Sequence, residues 1–318
     1  RDRENVLVVR VDNRHHEGDV PGMHVGWRGY GGIIREVSVR ATSRVYMDSV
    51  RVVATPDGSS GSVKLDGAVC NGGNDTAEVT VRAEVRDTAG TTLLTMSGVT
   101  RAGAGKSAGF SLQGVVKQAL PWSPSEPVLY SLRLGLEIEG AEVDTQDIPF
   151  GFRRIAATPD GLLLNGNPVY LTGYNRHEDS PRTAMATDLD TVRRDLEQMK
   201  EAGANFVRLC HYPHHPAELD LCDRLGLLAF CEAPLYFWND PDDGLRNNAA
   251  RCRAAERQLR AMITRDRNHP SVAFWSVSNE TSDNVPEVAE SNRALIRAAR
   301  ELDPTRLCVH VSDKWQKH

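Results

Sequence analysis

Residues 268–280 read NHPSVAFWSVSNE, and this stretch decides how the second half of the chain is interpreted. Its apolar run, 272–277, has the length of a buried strand and is flanked by a proline and by polar residues. Glu280 stands three residues after the end of that run. Enzymes built on a barrel of parallel strands keep their catalytic groups at the carboxyl ends of the strands. The stretch therefore predicts a buried strand with a candidate catalytic carboxylate at its end.

Strands and helices alternate on both sides of this stretch. A hairpin is predicted first, at 162–171, around the favoured two-residue turn Asn165-Gly166. Five strands separated by four helices then predict a parallel sheet with right-handed crossovers. The predicted strands are 171–175, 205–209, 227–231, 272–277 and 307–311, and the helices are 188–202, 216–226, a segment within 247–267, and 285–302.

A (β/α)8 barrel and a doubly wound open sheet both fit this alternation. The barrel is favoured because no Gly-rich phosphate loop follows the first strand. Polar residues stand instead at the carboxyl ends of several strands, as on the rim of a barrel. A whole barrel needs roughly 250 residues, more than 151–318 supply, so we expect strands 1–5 of a TIM barrel with roughly 80 residues missing.

The first half of the chain has the pattern of β-structure. Short runs of β-forming residues at 50–53, 61–65, 77–85, 91–96, 110–112 and 128–138 predict an immunoglobulin-like β-sandwich over 43–150. Residues 1–42 contain two further strand-like runs, 6–11 and 33–39, which are too few for a stable domain. We therefore expect a multidomain β plus α/β chain that starts within a larger β-domain.

Composition excludes several classes of protein. A hydrophobic content of 40% over 318 residues supports a sizeable core, and a net charge of -5 gives no reason to expect nucleic acid or an anionic membrane as partner. No apolar run is long enough to span a bilayer. The six cysteines form no C-x-x-C pair, so we expect neither a disulfide framework nor a zinc site. The start, Arg1-Asp2-Arg3-Glu4, has neither Met nor a signal-like segment, which predicts a missing beginning.

Glu280 is the principal candidate for general acid/base chemistry, with Trp275 as an apolar wall beside it. The alternative is a glutamate at a helix start, which the helix dipole favours. Asn279 is a candidate for binding a ligand hydroxyl, and its alternative is a helix N-cap or turn residue. Asp283 and Asp313 could supply a second carboxylate, although neither belongs to a recognisable motif.

Other candidates follow the earlier strands. Arg208 could orient a carboxylate, and Glu232 could pair with it as scaffold. His211 and His177 could donate hydrogen bonds to a ligand, although an isolated histidine is more often structural. The pair His214-His215 lacks accompanying ligands at a regular spacing, so we expect a surface loop there and no metal site.

Several separate runs together resemble glycoside hydrolase family 2, the β-galactosidase and β-glucuronidase family. The runs are YGGIIREV at 30–37, LNGNPV at 164–169, GYNRHED at 173–179, NFVRLCHYP at 205–213, CDRLGL at 222–227 and RDRNHPSVAFWSVSNE at 265–280. Their order and spacing agree over nearly the whole chain. The resemblance implies the end of a jelly-roll sugar-binding domain over 1–42, an immunoglobulin-like sandwich over 43–150 and part of a catalytic TIM barrel over 151–318.

The resemblance also implies residue roles. Glu280 corresponds to the acid/base and Asn279 to its neighbour that contacts the sugar 2-hydroxyl. His177 and His211 correspond to substrate-binding histidines, and Arg208 to the arginine beside the nucleophile. The nucleophile, a second glutamate, is expected beyond the end of the chain.

The implied activity is that of a retaining exo-β-glycosidase acting on terminal β-galactosides or β-glucuronides. Tyr236 and Trp238 stand where large β-galactosidases have Mg²⁺ ligands, so we expect no metal and no cofactor. The expected partner is a carbohydrate substrate, and the full-length protein could form a homo-oligomer. Three alternatives stay open: a non-catalytic carbohydrate-binding protein on the same scaffold, an inactive fragment, and an endo-acting barrel glycosidase.

Overall fold

The structure, a computed structural model, describes residues 6–16, 18–22, 25–236 and 249–313. Its first large unit is a sandwich of two antiparallel sheets. The strands are β1 (Val45–Asp57), β2 (Ser60–Asn71), β3 (Ala77–Arg86), β4 (Thr92–Ala102), β5 (Ser107–Lys117), β6 (Tyr130–Ile138) and β7 (Ala141–Phe150). The strand orders are β1-β2-β5 and β4-β3-β6-β7. Buried side chains alternate with more exposed ones along β3, which places the apolar set between the sheets.

A small antiparallel sheet follows the sandwich. It contains β8 (Ile155–Thr158), β9 (Gly161–Leu164) and β10 (Asn167–Pro168) in the order β10-β9-β8. The predicted turn Asn165-Gly166 joins the last two strands, with both residues at positive φ. Leu164 packs in one cluster with Trp122 and Phe274, so this hairpin sheet covers one end of the barrel strands.

The second large unit is the predicted parallel sheet. Its five strands pair in chain order, and every pair is parallel. A doubly wound sheet reverses its strand order, whereas a barrel adds each strand beside the last, so the observed order is that of a barrel segment. The elements are β11 (Gly173–Arg176), α1 (Leu189–Glu201), β12 (Phe206–Leu209), α2 (Pro216–Leu225), β13 (Leu228–Glu232), α3 (Ala249–Asp266), β14 (Val272–Ser276), α4 (Pro286–Leu302) and β15 (Leu307–Val309).

Local sequence explains where the helices begin and end. Asp188 caps α1 by accepting a hydrogen bond from the Thr191 amide, at 2.8 Å. Pro216 opens α2, and Gly226 ends it in the left-handed conformation, at φ 70°. None of the helices in the described ranges combines the length and hydrophobicity that a bilayer crossing requires.

Side chains on the two faces of the parallel sheet enter different cores. One face packs Val207, Ala229 and Trp275 against the helices. The other face brings together the rings of Phe206, Phe230 and Phe274 inside the barrel, with centroids 5.6–6.4 Å apart. Successive side chains along each strand therefore point alternately to the helix layer and to the barrel interior.

Two predicted strands are wrong. Residues 6–11 and 33–39 lie in described segments that contain no strand, and Val8 and Val39 are 83% and 89% exposed. A strand needs a paired neighbour, and neither run has one among the described residues. The assignment of residues 1–42 to a sugar-binding domain stays a prediction. Conversely, β7 was not predicted, because this edge strand buries only Ile148 and Phe150 and its sequence is otherwise polar.

The sandwich is joined to the barrel by side chains that satisfy backbone groups. The Asn268 amide accepts from the Val52 N–H at 2.9 Å and donates to the Val50 carbonyl at 3.0 Å. Arg153, buried between the two units, donates to the carbonyls of Pro270 and Thr305 at 2.8 and 3.2 Å. These bonds fix the sandwich against the loops at the amino-terminal ends of the barrel strands.

A buried carboxylate organises the same end of the barrel. Asp223 accepts from the Ser271 amide at 2.9 Å and from His269 Nδ1 at 2.6 Å. Its carbonyl accepts from the Trp122 indole at 2.8 Å. Burial alone would lower the pKa of His269, but the Asp223 carboxylate outweighs it and raises that pKa.

We predict that His269 contributes pH-dependent stability. Because its folded-state pKa lies above the ordinary 6.5, the contribution is fully present below that pH and is lost as the pH rises through the folded-state value. His269→Gln should lower the free energy of unfolding by about 1–3 kcal/mol at pH 6 and by less at pH 9, measured by urea unfolding. Arg101→Gln, which breaks the exposed pair with Glu78, is the control. A pH-independent loss would contradict the prediction.

Candidate active site

The carboxyl ends of four neighbouring strands bring the polar candidates to one rim. Parallel strands end at the same edge of a sheet, so residues far apart in sequence meet there. Each candidate occupies a strand end or the loop directly after it. In order, they are His177 after β11, Arg208 and His211 at β12, Glu232 at the end of β13, and Asn279 with Glu280 after β14.

Arg208 is the centre of the hydrogen-bond network on this rim. Its Nη2 donates to Glu232 Oε2 at 2.8 Å and to Asn279 Oδ1 at 2.6 Å. Val207 and Leu209 point into the core, so strand alternation turns Arg208 towards the barrel interior. There the guanidinium carbon lies 5.2 Å from the centre of the Phe230 ring. The predicted pair of Arg208 and Glu232 is therefore present.

Glu232 is fully buried, and both of its carboxylate oxygens are bonded. Oε2 also accepts from the Ser276 hydroxyl at 2.9 Å, and Oε1 lies 2.5 Å from His211 Nδ1. A carboxylate accepts, so His211 donates through Nδ1, and Nε2 is the ring nitrogen left for a ligand. This geometry suits Glu232 to hold neighbouring groups in place rather than to react.

The two polar atoms of the Asn279 side chain differ in their hydrogen bonding. Its Oδ1 is held by Arg208, which fixes the orientation of the amide. Its Nδ2 is buried and has no hydrogen-bond partner among the described residues. A buried donor without a partner is costly, and an acceptor on a ligand would satisfy it. Helix α4 starts only at Pro286 with Val285 as its cap, so Asn279 is not an N-cap.

Glu280 stands beside this amide in a left-handed conformation, at φ 48°. Non-glycine residues adopt that conformation at a cost, and such residues concentrate at functional sites. The phenol of Tyr236 donates a hydrogen bond to Glu280, and burial together with the Glu280 charge raises the pKa of Tyr236 to about 12. Because α4 begins at Pro286, the alternative of a helix-start glutamate is wrong.

His177 lies beside His211 at the edge of the site. The two imidazole centroids are 5.2 Å apart, and His177 Nδ1 is 3.3 Å from the Tyr212 hydroxyl. Partial burial of the ring, together with the positive charge that His211 can carry, lowers the pKa of His177. His177 is therefore predominantly neutral at neutral pH, and a neutral imidazole can accept a hydrogen bond.

Trp275 lies away from this rim. It is fully buried and packs with the helix layer, where its indole N–H donates to Asp303 Oδ2 at 2.9 Å. Ser276, the next residue of β14, faces Glu232 instead. The aromatic ring that does contact Glu280 belongs to Tyr236.

Sequence reasoning missed Trp27, whose ring lies 5.1 Å from the rings of both Tyr212 and Tyr236. Trp27 lies three residues before Tyr30, the first residue of the YGGIIREV run. That proximity to a family-like run is the only signal in the sequence that could have drawn attention to it.

The two aspartates considered as second carboxylates form local bonds. Asp283 accepts from the Ser312 hydroxyl at 2.5 Å and pairs with His310 Nε2 at 3.0 Å. Although burial opposes it, these bonds lower the pKa of Asp283. Asp313 accepts from the Ser282 hydroxyl at 3.2 Å. The geometry marks neither as a nucleophile.

The expectation that His214 lies on a surface loop is wrong. His214 is only 3% exposed, and it bonds Glu218 Oε2 at 2.9 Å and the Cys210 carbonyl at 3.1 Å. Buried Glu218 in turn pairs with Arg176 at 3.0 Å. The sequence did not reveal this cluster because none of its members belongs to an apolar run.

One group on the rim has the composition of a metal site. Potential ligand atoms of His177, Cys210 and His211 lie within 4.8 Å of one another. Burial raises the pKa of the Cys210 thiol to about 11, and the Arg208 guanidinium lies 3.4 Å from His211 Nδ1. A protonated thiol and an adjacent cation both disfavour a bound cation. Trp238, the second position compared with Mg²⁺ ligands, lies outside the described residues.

A cleft of about 630 Å³ lies at the opposite, amino-terminal end of the strands. Two of its polar side chains already have partners: Lys200 donates to the carbonyls of Pro124 and Gly226, and Asn205 bonds the backbone of Tyr170 and Thr172. The carboxyl-terminal rim, with its unpartnered amide, is therefore the better candidate site.

Comparison with known proteins gives the same architecture. The family model described as "Glycosyl hydrolases family 2, TIM barrel domain" matches residues 155–318, and the model described as "Glycosyl hydrolases family 2" matches 45–153. The β-galactosidase of Thermoanaerobacterium thermosulfurigenes is 32% identical over 308 residues, which are 95% of this chain. The chain spans 41% of the length of that relative.

Solved structures agree with the sequence comparison. A β-glucuronidase of Bacteroides uniformis superposes with a TM-score of 0.85 at 28% identity, covering 94% of this chain and 38% of its own. A β-galacturonidase of Eisenbergiella tayi bound to galacturonate superposes with a TM-score of 0.84 at 25% identity, covering 95% of this chain and 53% of its own. The sandwich and the barrel segment of this chain thus have the same fold as the corresponding parts of these two structures.

We predict that the hydrogen bonds of Glu232 stabilise the rim. Glu232→Ala leaves the Arg208 charge buried without its partner and should cost about 3–5 kcal/mol in the free energy of unfolding, measured by urea unfolding. Glu232→Gln keeps hydrogen-bond acceptance and should cost less. The matched control is Glu290→Ala, which removes an exposed partner of Arg297. Equal losses for Glu232→Ala and this control would refute the role.

Proposed function

The chain belongs to glycoside hydrolase family 2, and from this membership we propose that the protein is a retaining exo-β-glycosidase. The substrate would be a terminal β-linked sugar, a β-galactoside or a β-glucuronide. The observation that carries the proposal is the pair at the end of β14: a carboxylate, Glu280, beside an amide donor, Asn279, that has no partner among the described residues. This pair provides a proton donor and a sugar-binding donor at adjacent positions.

In the proposed reaction Glu280 first protonates the glycosidic oxygen, so that the aglycone leaves as a neutral alcohol. A second carboxylate attacks the anomeric carbon and forms a covalent glycosyl ester. Glu280 then removes a proton from water, which hydrolyses that ester with overall retention. Retaining enzymes hold the two carboxyl groups roughly 5–5.5 Å apart. We expect the nucleophile to be a glutamate outside these 318 residues.

Arg208 and Asn279 would act on the same sugar ring. The Asn279 amide, oriented through its oxygen by Arg208, would donate to the 2-hydroxyl. A hydrogen bond to this hydroxyl strengthens as positive charge develops at the anomeric carbon. Arg208 would place its positive charge beside the nucleophile. A fixed guanidinium can do this because Glu232 and Asn279 both hold it.

The two histidines would bind sugar hydroxyls. The bond from His211 Nδ1 to Glu232 leaves Nε2 as the ring nitrogen that can bond a sugar hydroxyl. Neutral His177 can accept a further hydroxyl hydrogen bond at one ring nitrogen. Together with Asn279, they would place three hydrogen-bonding groups around one sugar, which is the pattern of a site selective for hydroxyl positions.

We predict that Glu280→Gln separates substrates by leaving group. In a polypeptide that carries this sequence together with the second carboxylate, kcat/KM for alkyl glycosides should fall by roughly 10²–10⁴-fold. Aryl glycosides with acidic leaving groups should lose much less in the first step, because their leaving oxygen needs little protonation. Steady-state and pre-steady-state hydrolysis of both substrate classes measures the difference.

The control is Glu287→Gln, an exposed glutamate in the first turn of α4, which should leave both substrates unaffected. Equal losses on the two substrate classes would contradict the acid/base role of Glu280. Sugar binding without hydrolysis in the wild-type polypeptide would instead favour a non-catalytic carbohydrate-binding protein.

A further inference from the structure

We propose that Trp27 forms one wall of the sugar site and packs against an apolar face of the bound sugar ring. The segment 25–36, upstream of the sandwich, would thereby complete a site whose other residues come from the barrel. This inference rests on the proposed function and adds to it a residue that determines how the sugar is positioned.

The first observation is the position of the indole. Trp27 has its ring centroid 5.1 Å from those of Tyr212 and Tyr236, 5.9 Å from that of His211 and 6.1 Å from that of His177. Two of these four residues are the proposed hydroxyl-binding histidines. A third, Tyr236, is hydrogen-bonded to Glu280. The indole therefore lies one side chain away from the proposed acid/base.

The second observation is that the segment carrying Trp27 is held by charged pairs. Arg35 Nη2 donates to Glu178 Oε2 at 2.6 Å and to the Pro213 carbonyl at 3.0 Å. Glu178 is only 2% exposed, and its other oxygen accepts from the His215 amide at 3.0 Å. Glu36 reaches His215 Nε2 at 2.8 Å. A buried carboxylate that bonds both chain segments fixes them relative to each other.

A close backbone approach supports the same placement. A side chain at Gly26 would have its Cβ only 3.0 Å from the Tyr236 hydroxyl. Because Gly26 has no side chain, the backbone next to Trp27 can approach the Tyr236 phenol closely. The segment is thus seated against the rim at two points, through Arg35 and beside Trp27.

The chemistry of the surroundings indicates what the indole contacts. Trp27 is only partly buried, and two of its ring neighbours are the polar imidazoles of His177 and His211. A pyranose has the complementary shape, with C–H groups on its faces and hydroxyls around its edge. An indole can cover the C–H face while the histidines and Asn279 bond the hydroxyls, which combines apolar contact with directed polar contact in one pocket.

The test compares Trp27→Ala and Trp27→Phe with wild type in a polypeptide that carries the second carboxylate. Loss of the indole should raise KM for an aryl β-galactoside or β-glucuronide by roughly tenfold or more, with a smaller change in kcat. The phenyl ring should restore part of the loss, because it still covers the sugar. Val39→Ala, on an 89% exposed side chain of the same region, is the control and should match wild type.

A binding measurement keeps the inference testable without relying on turnover. Free galactose and glucuronate are titrated while tryptophan fluorescence is recorded; the chain has five tryptophans. Wild type should show a sugar-dependent change that Trp27→Phe lacks, while calorimetry still detects weakened binding by that variant. The same change in Trp27→Phe as in wild type, or a KM within twofold of wild type for a folded Trp27→Ala, overturns the role of Trp27.

The two proposals fail in different ways. A wild-type polypeptide that hydrolyses no β-glycoside disproves the proposed function, whatever the variants do. A wild-type polypeptide that is active and whose kinetics survive loss of the indole disproves only the role of Trp27. Thermal unfolding of each variant establishes that a raised KM does not arise from loss of fold.

Discussion

The ion pair between Arg208 and Glu232 is the interaction on which the rim depends. Glu232 is fully buried, and a buried carboxylate without a cation and hydrogen bonds would be strongly unfavourable. The pair joins β12 to β13, and through Ser276 it also reaches β14. The same guanidinium orients Asn279, and the same carboxylate bonds His211 Nδ1. One charged pair therefore fixes the geometry of two candidate binding residues on different strands.

The two ends of the parallel strands carry polar residues for different reasons. At the amino-terminal end, Asp223 and Asn268 have partners for their polar atoms and join the barrel to the sandwich. At the carboxyl-terminal end, the Asn279 Nδ2 stays without a partner among the described residues, and Glu280 adopts a left-handed backbone. An unsatisfied buried donor and a left-handed backbone both carry a cost in folding, and at this rim the two fall on the adjacent residues Asn279 and Glu280, which marks it as the candidate functional end.

Much of this arrangement could be predicted from sequence because it follows local rules. Buried parallel strands appear as apolar runs, and the residues after them must meet at one edge. That reasoning located Glu280, Asn279 and Arg208 before any coordinates. It failed for the runs at 6–11 and 33–39, because β-forming residues do not specify a pairing partner. It also failed for His214, whose burial depends on charges supplied by other elements.

Trp27 shows the limit most clearly, because its only local signal is the nearby run at 30–37, and that run does not say what the indole contacts. Its neighbours Tyr212 and Tyr236 follow it by about two hundred residues, and the whole sandwich lies between them in sequence. The contact exists because the sandwich bonds the amino-terminal end of the barrel while Arg35 and Glu36 fix the preceding segment to the carboxyl-terminal rim. The position of the indole consequently depends on how the units are joined. Sequence patterns within a single helix, strand or loop do not predict such a contact.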